Sequence, residues 1–471
     1  MITVEEAEEL STSEVENLYS QFVNPRQVSL FRRLSPGRDQ VHRAEGAWIH
    51  LKTGRRILDL TGGIGVLGHG HNHPRILRAR AEFAARQRME VYKSYLSPYT
   101  AALAHNIAEI LPGDLTFSYF PNSGAEAVEG AVKMAYKFHA GNRNTILVSE
   151  IGFHGKTLGA GSLTQSRENN FRFPKISNVK SARYGDIDSW KSKFLESVNA
   201  DGSSQVFAVL VEPLSSSSMI EASDAFLMDL RKLCDDYGAL LIFDEVYTGW
   251  GRTGHLFNFM RVKGLVPDIL VYAKTLGGGK ASIAGYTARK PVYRGAYDTS
   301  LSDATLHSTT YFGLAEETVT AIEAVNLVIR DDFALRARKI GESFRQGVHA
   351  SGEQMGWFRE FRNFGALNGF IPDTEAFDGL ITTFGKFLGD FIPEPRSLFA
   401  SRLVSAAATE FLYRKHGVLT YVGFNVGSPL KLSFPLVSEN HEVRIAVDAV
   451  TELLSLSRKS LLSELSRMFL R

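Results

Sequence analysis

Four short runs constrain this chain more than any other feature: "NTILVSE" (144–150), "FAVLVEP" (207–213), "ALLIFDEV" (239–246) and "DILVYAK" (268–274). In each, apolar and β-branched residues follow one another instead of alternating with polar ones, the mark of a strand buried on both faces. Helical stretches such as "TAALAHNIAEIL" (100–111) and "AEAVEGAVKMAYKFHA" (125–140) are interleaved with further extended runs. Strands alternating with helices in this way predict an α/β domain whose central, mostly parallel sheet is covered on both sides.

At 471 residues the chain exceeds the size at which one hydrophobic core stops growing, so a second unit is expected. The expected division is an N-terminal segment over 1–74, a large α/β domain over 75–325, and a small domain over 326–471 that the N-terminal segment completes. The start predicts an acidic helix over Val4 to Phe22, and "GAWIHLKTGRRILDL" (46–60) predicts a short hairpin about Gly54. Beyond residue 315 the text is helical through "EETVTAIEAVNLVIRDDFALRARKIGESFRQGV". A segment bearing Phe384, Phe387 and Phe391 is extra material of the small domain, either packed or a lid. The final stretch, with Leu461, Leu462, Leu465, Phe469 and Leu470, reads as a helix packed on that domain.

Charge and cysteine usage narrow the partners. Lys+Arg number 53 against 51 Asp+Glu, a balance that argues against nucleic acid as the main partner. Cys234 is the lone cysteine, so neither an intramolecular disulfide nor a cysteine-based metal site fits. With no apolar run long enough to cross a bilayer and no leader-like pattern at the N-terminus, a cytoplasmic location is expected, with no membrane partner. The histidines of "GHGHNHP" (His69, His71, His73) have no acidic partners nearby and read as a structural turn; no metal is expected.

Ligands in parallel sheets sit beyond the carboxyl ends of the strands, and four stretches there make chemical sense together. "NSGAEAVEGAVK" opens a helix at Gly124 and Ala125, where free N–H groups and the helix dipole suit a phosphate. "GFHGKTLG" sets Phe153 where its ring can cover a flat cofactor. "IFDEVYTGWGRTG" ends a strand on Asp244, and "LHSTTYFG" offers hydroxyls at Ser308, Thr309 and Thr310. Lys274 follows the last apolar run and precedes three glycines. A lysine amine, a carboxylate, an aromatic plate and phosphate donors together fit pyridoxal 5′-phosphate.

Taken in order, "ILDLTGGIGVLGHGHNHP", "NSGAEAVEGAVKMA", "FHGKTLGA", "LVEP", "IFDEVYTGWGRTG", "PDILVYAKTLGGG" and "HSTTYFG" resemble the class III (ornithine/putrescine-type) aminotransferases, from about Trp48 to Pro435. The resemblance implies fold-type I of the PLP-dependent transferases and a homodimer with shared active sites. It implies that Lys274 is the Schiff-base lysine and Asp244 the partner of the pyridine nitrogen. Phe153 and Val246 would cover the two ring faces, Ser123, Gly124 and Ala125 would hold the phosphate, and Thr310 would reach it from the neighbouring subunit. Glu212 would be a supporting acid.

Three departures bear on substrate. Tyr247 stands where the family usually has a glutamine that bonds the ring hydroxyl. Lys431 replaces the arginine that clamps a carboxylate, and a lysine lacks the two-pronged geometry. Ser217 occupies the place of the glutamate that masks that arginine. Tyr247 is a candidate cofactor contact, and Lys156, Ser217 and Lys431 are the candidate substrate-contacting positions. The resemblance implies an aminotransferase that moves an amino group between a primary amine, or the distal amine of an amino acid, and a keto acid or aldehyde. Another reaction on the same scaffold (aminomutase, racemase or decarboxylase) and a non-catalytic homologue are the alternatives.

Overall fold

The computed structural model describes residues 1–165, 173–350, 355–373, 396–423 and 427–457, with a few positions of the tail beyond. The Phe384, Phe387 and Phe391 segment and the closing run Leu461, Leu462, Leu465, Phe469 and Leu470 lie outside the described residues. The chain divides into two compact units. The larger comprises residues 63–339 and 364–367; the smaller comprises 1–62, 340–363 and 368–471.

The larger unit is built on a seven-stranded sheet. Its strands are β1 (Leu115–Tyr119), β2 (Thr145–Ser149), β3 (Val179–Ala182), β4 (Val206–Val211), β5 (Leu240–Asp244), β6 (Ile269–Tyr272) and β7 (Gly285–Arg289). They lie in the order β1-β7-β6-β5-β4-β2-β3, and β7 alone runs against its neighbours. All residues of β2, β4, β5 and β6 are buried, as their unbroken apolar runs require. The helix Gly124–Phe138 packs its buried face, Ala127, Val128, Ala131, Met134 and Ala135, into a core shared with Ile146, Leu210, Ile242 and Val271.

The smaller unit holds a sheet of Val41–Glu45, Trp48–Leu51, Arg56–Asp59 and Val418–Leu419, so the expected hairpin forms and pairs with a strand from the far end of the chain. A second four-stranded sheet orders Phe358–Phe364, Leu367–Pro372, Leu430–Ser433 and Tyr421–Val422.

Two expected helices are broken. The N-terminal one is two helices, Val4–Glu9 and Thr12–Phe22, because Ser11 caps the second: its hydroxyl accepts from Glu14 N, and the Glu14 carboxylate accepts from Ser11 N. The long helical text after 315 becomes Ala315–Arg330 and Phe333–Ala350, interrupted where Asp332 takes a left-handed φ of 41°.

Candidate active site

The carboxyl ends of β4, β5 and β6 bring together Glu212, the residue after β4, Asp244, the last residue of β5, and Lys274, two residues past β6. Lys274 starts a short 3₁₀ turn, Lys274–Gly277, with φ at 54°, a conformation that costs an L-residue about 1–2 kcal/mol. Its amine donates to the Ile64 carbonyl at 3.2 Å and lies 4.7 Å from the centre of the Tyr247 ring. Desolvation pushes its pKa down to about 8; Arg252 adds to the fall, and Asp244 and Glu212 oppose it.

Asp244 is 4% exposed. One carboxylate oxygen accepts from His154 Nδ1 at 2.8 Å and the other from Val246 N at 3.0 Å. His154 Nε2 is buried with no hydrogen-bond partner among the described residues. Glu212 is buried as well; it accepts from Phe153 N, Ser216 N and Ser216 Oγ. Burial raises the Glu212 pKa to about 6, His154 pulling it back and Asp244 pushing it further up. Arg252, also buried, donates from Nε to Tyr247 O and from Nη2 to Gly65 O and Thr275 Oγ1.

Ser123 caps the helix Gly124–Phe138, its hydroxyl accepting from Glu126 N, and the Glu126 carboxylate in turn accepts from Asn122 N and Ser123 Oγ. A Cβ at Gly124 would lie 3.0 Å from Val246 Cγ1, so glycine keeps this helix start open beside Val246. Phe153 is 37% exposed and Tyr247 is buried.

The remaining candidates are placed elsewhere. Thr310 is exposed on the segment that follows His307, where Thr309 N donates to Tyr119 Oη and Lys93 Nζ reaches Thr309 O. Ser217 is half-buried in the turn between the two-residue strands Leu214–Ser215 and Ile220–Glu221, and Lys156 is exposed. Within the smaller unit, Lys431 is buried in the strand Leu430–Ser433 with its amine 5.0 Å from the Tyr421 ring centre. His69 donates from Nε2 to Ala324 O and packs on Phe333, and burial lowers its pKa to about 4.

Sequence reasoning missed His154 and Arg252. Both stand inside quoted motifs, yet their partners, Asp244 and Gly65, are 90 and 187 positions away, a proximity the motifs do not carry.

The residues present fit pyridoxal 5′-phosphate. An amine driven toward neutrality, a buried carboxylate with an imidazole behind it, and an open, hydroxyl-capped helix start lie on one end of one sheet. The fold is that of the solved aminotransferases. The ornithine aminotransferase of Toxoplasma gondii is similar over 96% of each chain, with a TM-score of 0.78 at 21% identity. A transaminase from the marine bacterium Virgibacillus matches over 91% of this chain and 94% of its own (TM-score 0.77, 19% identity). An omega transaminase from Pseudomonas jessenii matches over 90% and 94% (0.75, 21%). The family model of the class-III aminotransferases matches residues 35–454, and the chain belongs to that family. It is accordingly a PLP-dependent aminotransferase.

Proposed function

We propose that Lys274 is the reactive amine of this aminotransferase and Asp244 the acid that holds the cofactor's ring nitrogen protonated. The observation that carries the reading is the convergence of a half-buried, partly neutralised lysine and a buried aspartate on adjacent strand ends. Ser123, Gly124 and Ala125 would hold the phosphate, Phe153 and Val246 the two faces of the ring, and Glu212 and Tyr247 its edge.

Bound pyridoxal 5′-phosphate supplies a carbonyl that exchanges amines and a ring that takes up the electron pair released at the substrate carbon. Lys274 Nζ, held partly in its neutral, proton-accepting form by desolvation, takes the proton from the amine-bearing carbon of the substrate and returns it on the other side of the reaction. His154 Nδ1 and Val246 N fix both oxygens of Asp244, so that its carboxylate would face the ring nitrogen of bound cofactor in one orientation. Phe153 and Val246 would keep water from the ring faces of the bound cofactor.

The donor is a primary amine or the distal amine of an amino acid, and the acceptor a keto acid or aldehyde; Lys156, Ser217 and Lys431 are the substrate-contacting candidates. In Lys431 a point charge replaces a bidentate clamp, which favours donors without a carboxylate beside the reacting carbon. The working unit is a homodimer in the cytoplasm, with Thr310 completing its neighbour's phosphate site. Support comes from apolar side chains left in solvent: Leu96, 98% exposed, lines an aromatic cavity of about 670 Å3 together with Ser308, and Leu301, nine positions before Thr310, is 93% exposed. Among the described residues no helix is long and apolar enough to cross a membrane.

The test is the visible spectrum of the PLP-loaded protein with glutamate, alanine, ornithine and putrescine in turn. Conversion by one donor to the pyridoxamine form, with the spectrum restored by a keto acid, identifies the donor. Product formed without any keto acid would replace this reading with a mutase, racemase or decarboxylase.

A further inference from the structure

The Lys274 amine rests against two groups, the face of Tyr247 and the carbonyl of Ile64. The carbonyl is delivered by a backbone turn in which Ile64 has φ 58° and Gly65 φ 86°, and a Cβ on Gly65 would stand 2.9 Å from Tyr247 Cε2. Glycine therefore lets this turn lie directly on the ring. Arg252 ties the two together, reaching Gly65 O with Nη2 and Tyr247 O with Nε. A cation within about 6 Å of a ring centre is attracted to the ring's face.

We propose that Tyr247 is a positioning residue for Lys274: its ring face and the Ile64 carbonyl form a seat that holds the free ε-amine between the two half-reactions, while the cofactor carries the amino group. The inference rests on the reading of Lys274 as the reactive amine. The seat favours the charged amine, as do Asp244 and Glu212 facing it, whereas burial and the guanidinium of Arg252 oppose charge. Tyr247 thus makes the lysine a stronger base than its desolvated surroundings allow and confines it to one place. A side chain with an amide in this position supplies no such face.

The test is competitive acetylation of the full chain loaded with pyridoxamine phosphate, in which the Lys274 amine is free, followed as labelling of the Lys274 peptide against pH. Tyr247→Leu is expected to label about fivefold faster at neutral pH, because the neutral amine gains population when the ring face is lost. Tyr247→Phe is expected to follow the wild-type curve. A Tyr247→Leu curve that superimposes on wild type, or equal shifts in both variants, overturns the proposal. Tyr247→Met, which keeps bulk without a ring face, serves if the leucine variant does not fold. Borohydride reduction of PLP-loaded wild type separates the two readings. If Lys274 carries no cofactor there, the reactive-amine reading fails; if it does and the Tyr247→Leu curve is unshifted, only the seat fails.

Discussion

The two ends of the seven-stranded sheet handle charge in opposite ways. At the end where β5 and β6 begin, Asp268 accepts from Arg231 Nη1 at 2.7 Å and from Leu241 N at 2.8 Å, and Arg289 bridges Asp268 to Asp114, with N···O distances of 3.5 and 2.6 Å. Every charge in that group has an opposite at hand. At the other end, Asp244 raises the cost of ionising Glu212, Arg252 crowds Lys274, and burial shifts both Glu212 and Lys274 toward neutrality. One end pairs its charges with opposites and holds strands in register; the other sets like charges beside one another under burial, and groups shifted in this way can do chemistry.

That contrast can be broken from either side. Lys274→Ala should remove transamination by roughly 10³–10⁴-fold, read as the rate of pyridoxamine formation with a competent donor, while PLP still binds. Asp244→Asn should cost about 10²–10³-fold in the same assay, since a neutral amide cannot hold a ring proton. At the balanced end, Asp268→Ala should lower stability by about 3 kcal/mol in urea titration, leaving Arg231 short of a buried partner, and leave the rate per folded molecule unchanged. A lost rate in that variant would erase the division of labour.

Smaller effects sharpen the comparison. The folded-state pKa of Glu212 lies above its ordinary value of 4.5, at about 6, so its contribution to stability is fully present below 4.5 and fades as pH rises through 6. In protein freed of cofactor, wild type should therefore lose about 2 kcal/mol relative to Glu212→Gln across that window, measured by urea titration at each pH. His154→Gln should slow the reaction about tenfold, the worth of one hydrogen bond to a charged group, with stability little changed.

Much of the site was legible because strand ends are legible. Strands β4, β5 and β6 end at Val211, Asp244 and Tyr272, and the rule for parallel sheets points to Asp244 and Lys274 there, whereas Glu212 came only with the family resemblance. The break at Leu10 was also available, since Ser11 with Glu14 three residues on is a capping box, but continuous acidity hid it. What could not be read is contact across long separations: His154 behind Asp244, Arg252 under Gly65, and the Ile64 carbonyl facing Lys274, 210 positions away. A left-handed φ at a lysine or an isoleucine carries no sequence mark, because the surroundings impose it.

The most direct test of the central claim is to reduce the PLP-loaded protein with borohydride, digest it, and sequence by mass spectrometry the peptide spanning "VYAKTLGGGKAS", which holds two lysines, Lys274 and Lys280. The account predicts the cofactor's mass on Lys274 alone. The mass on Lys280, or on neither, would contradict it.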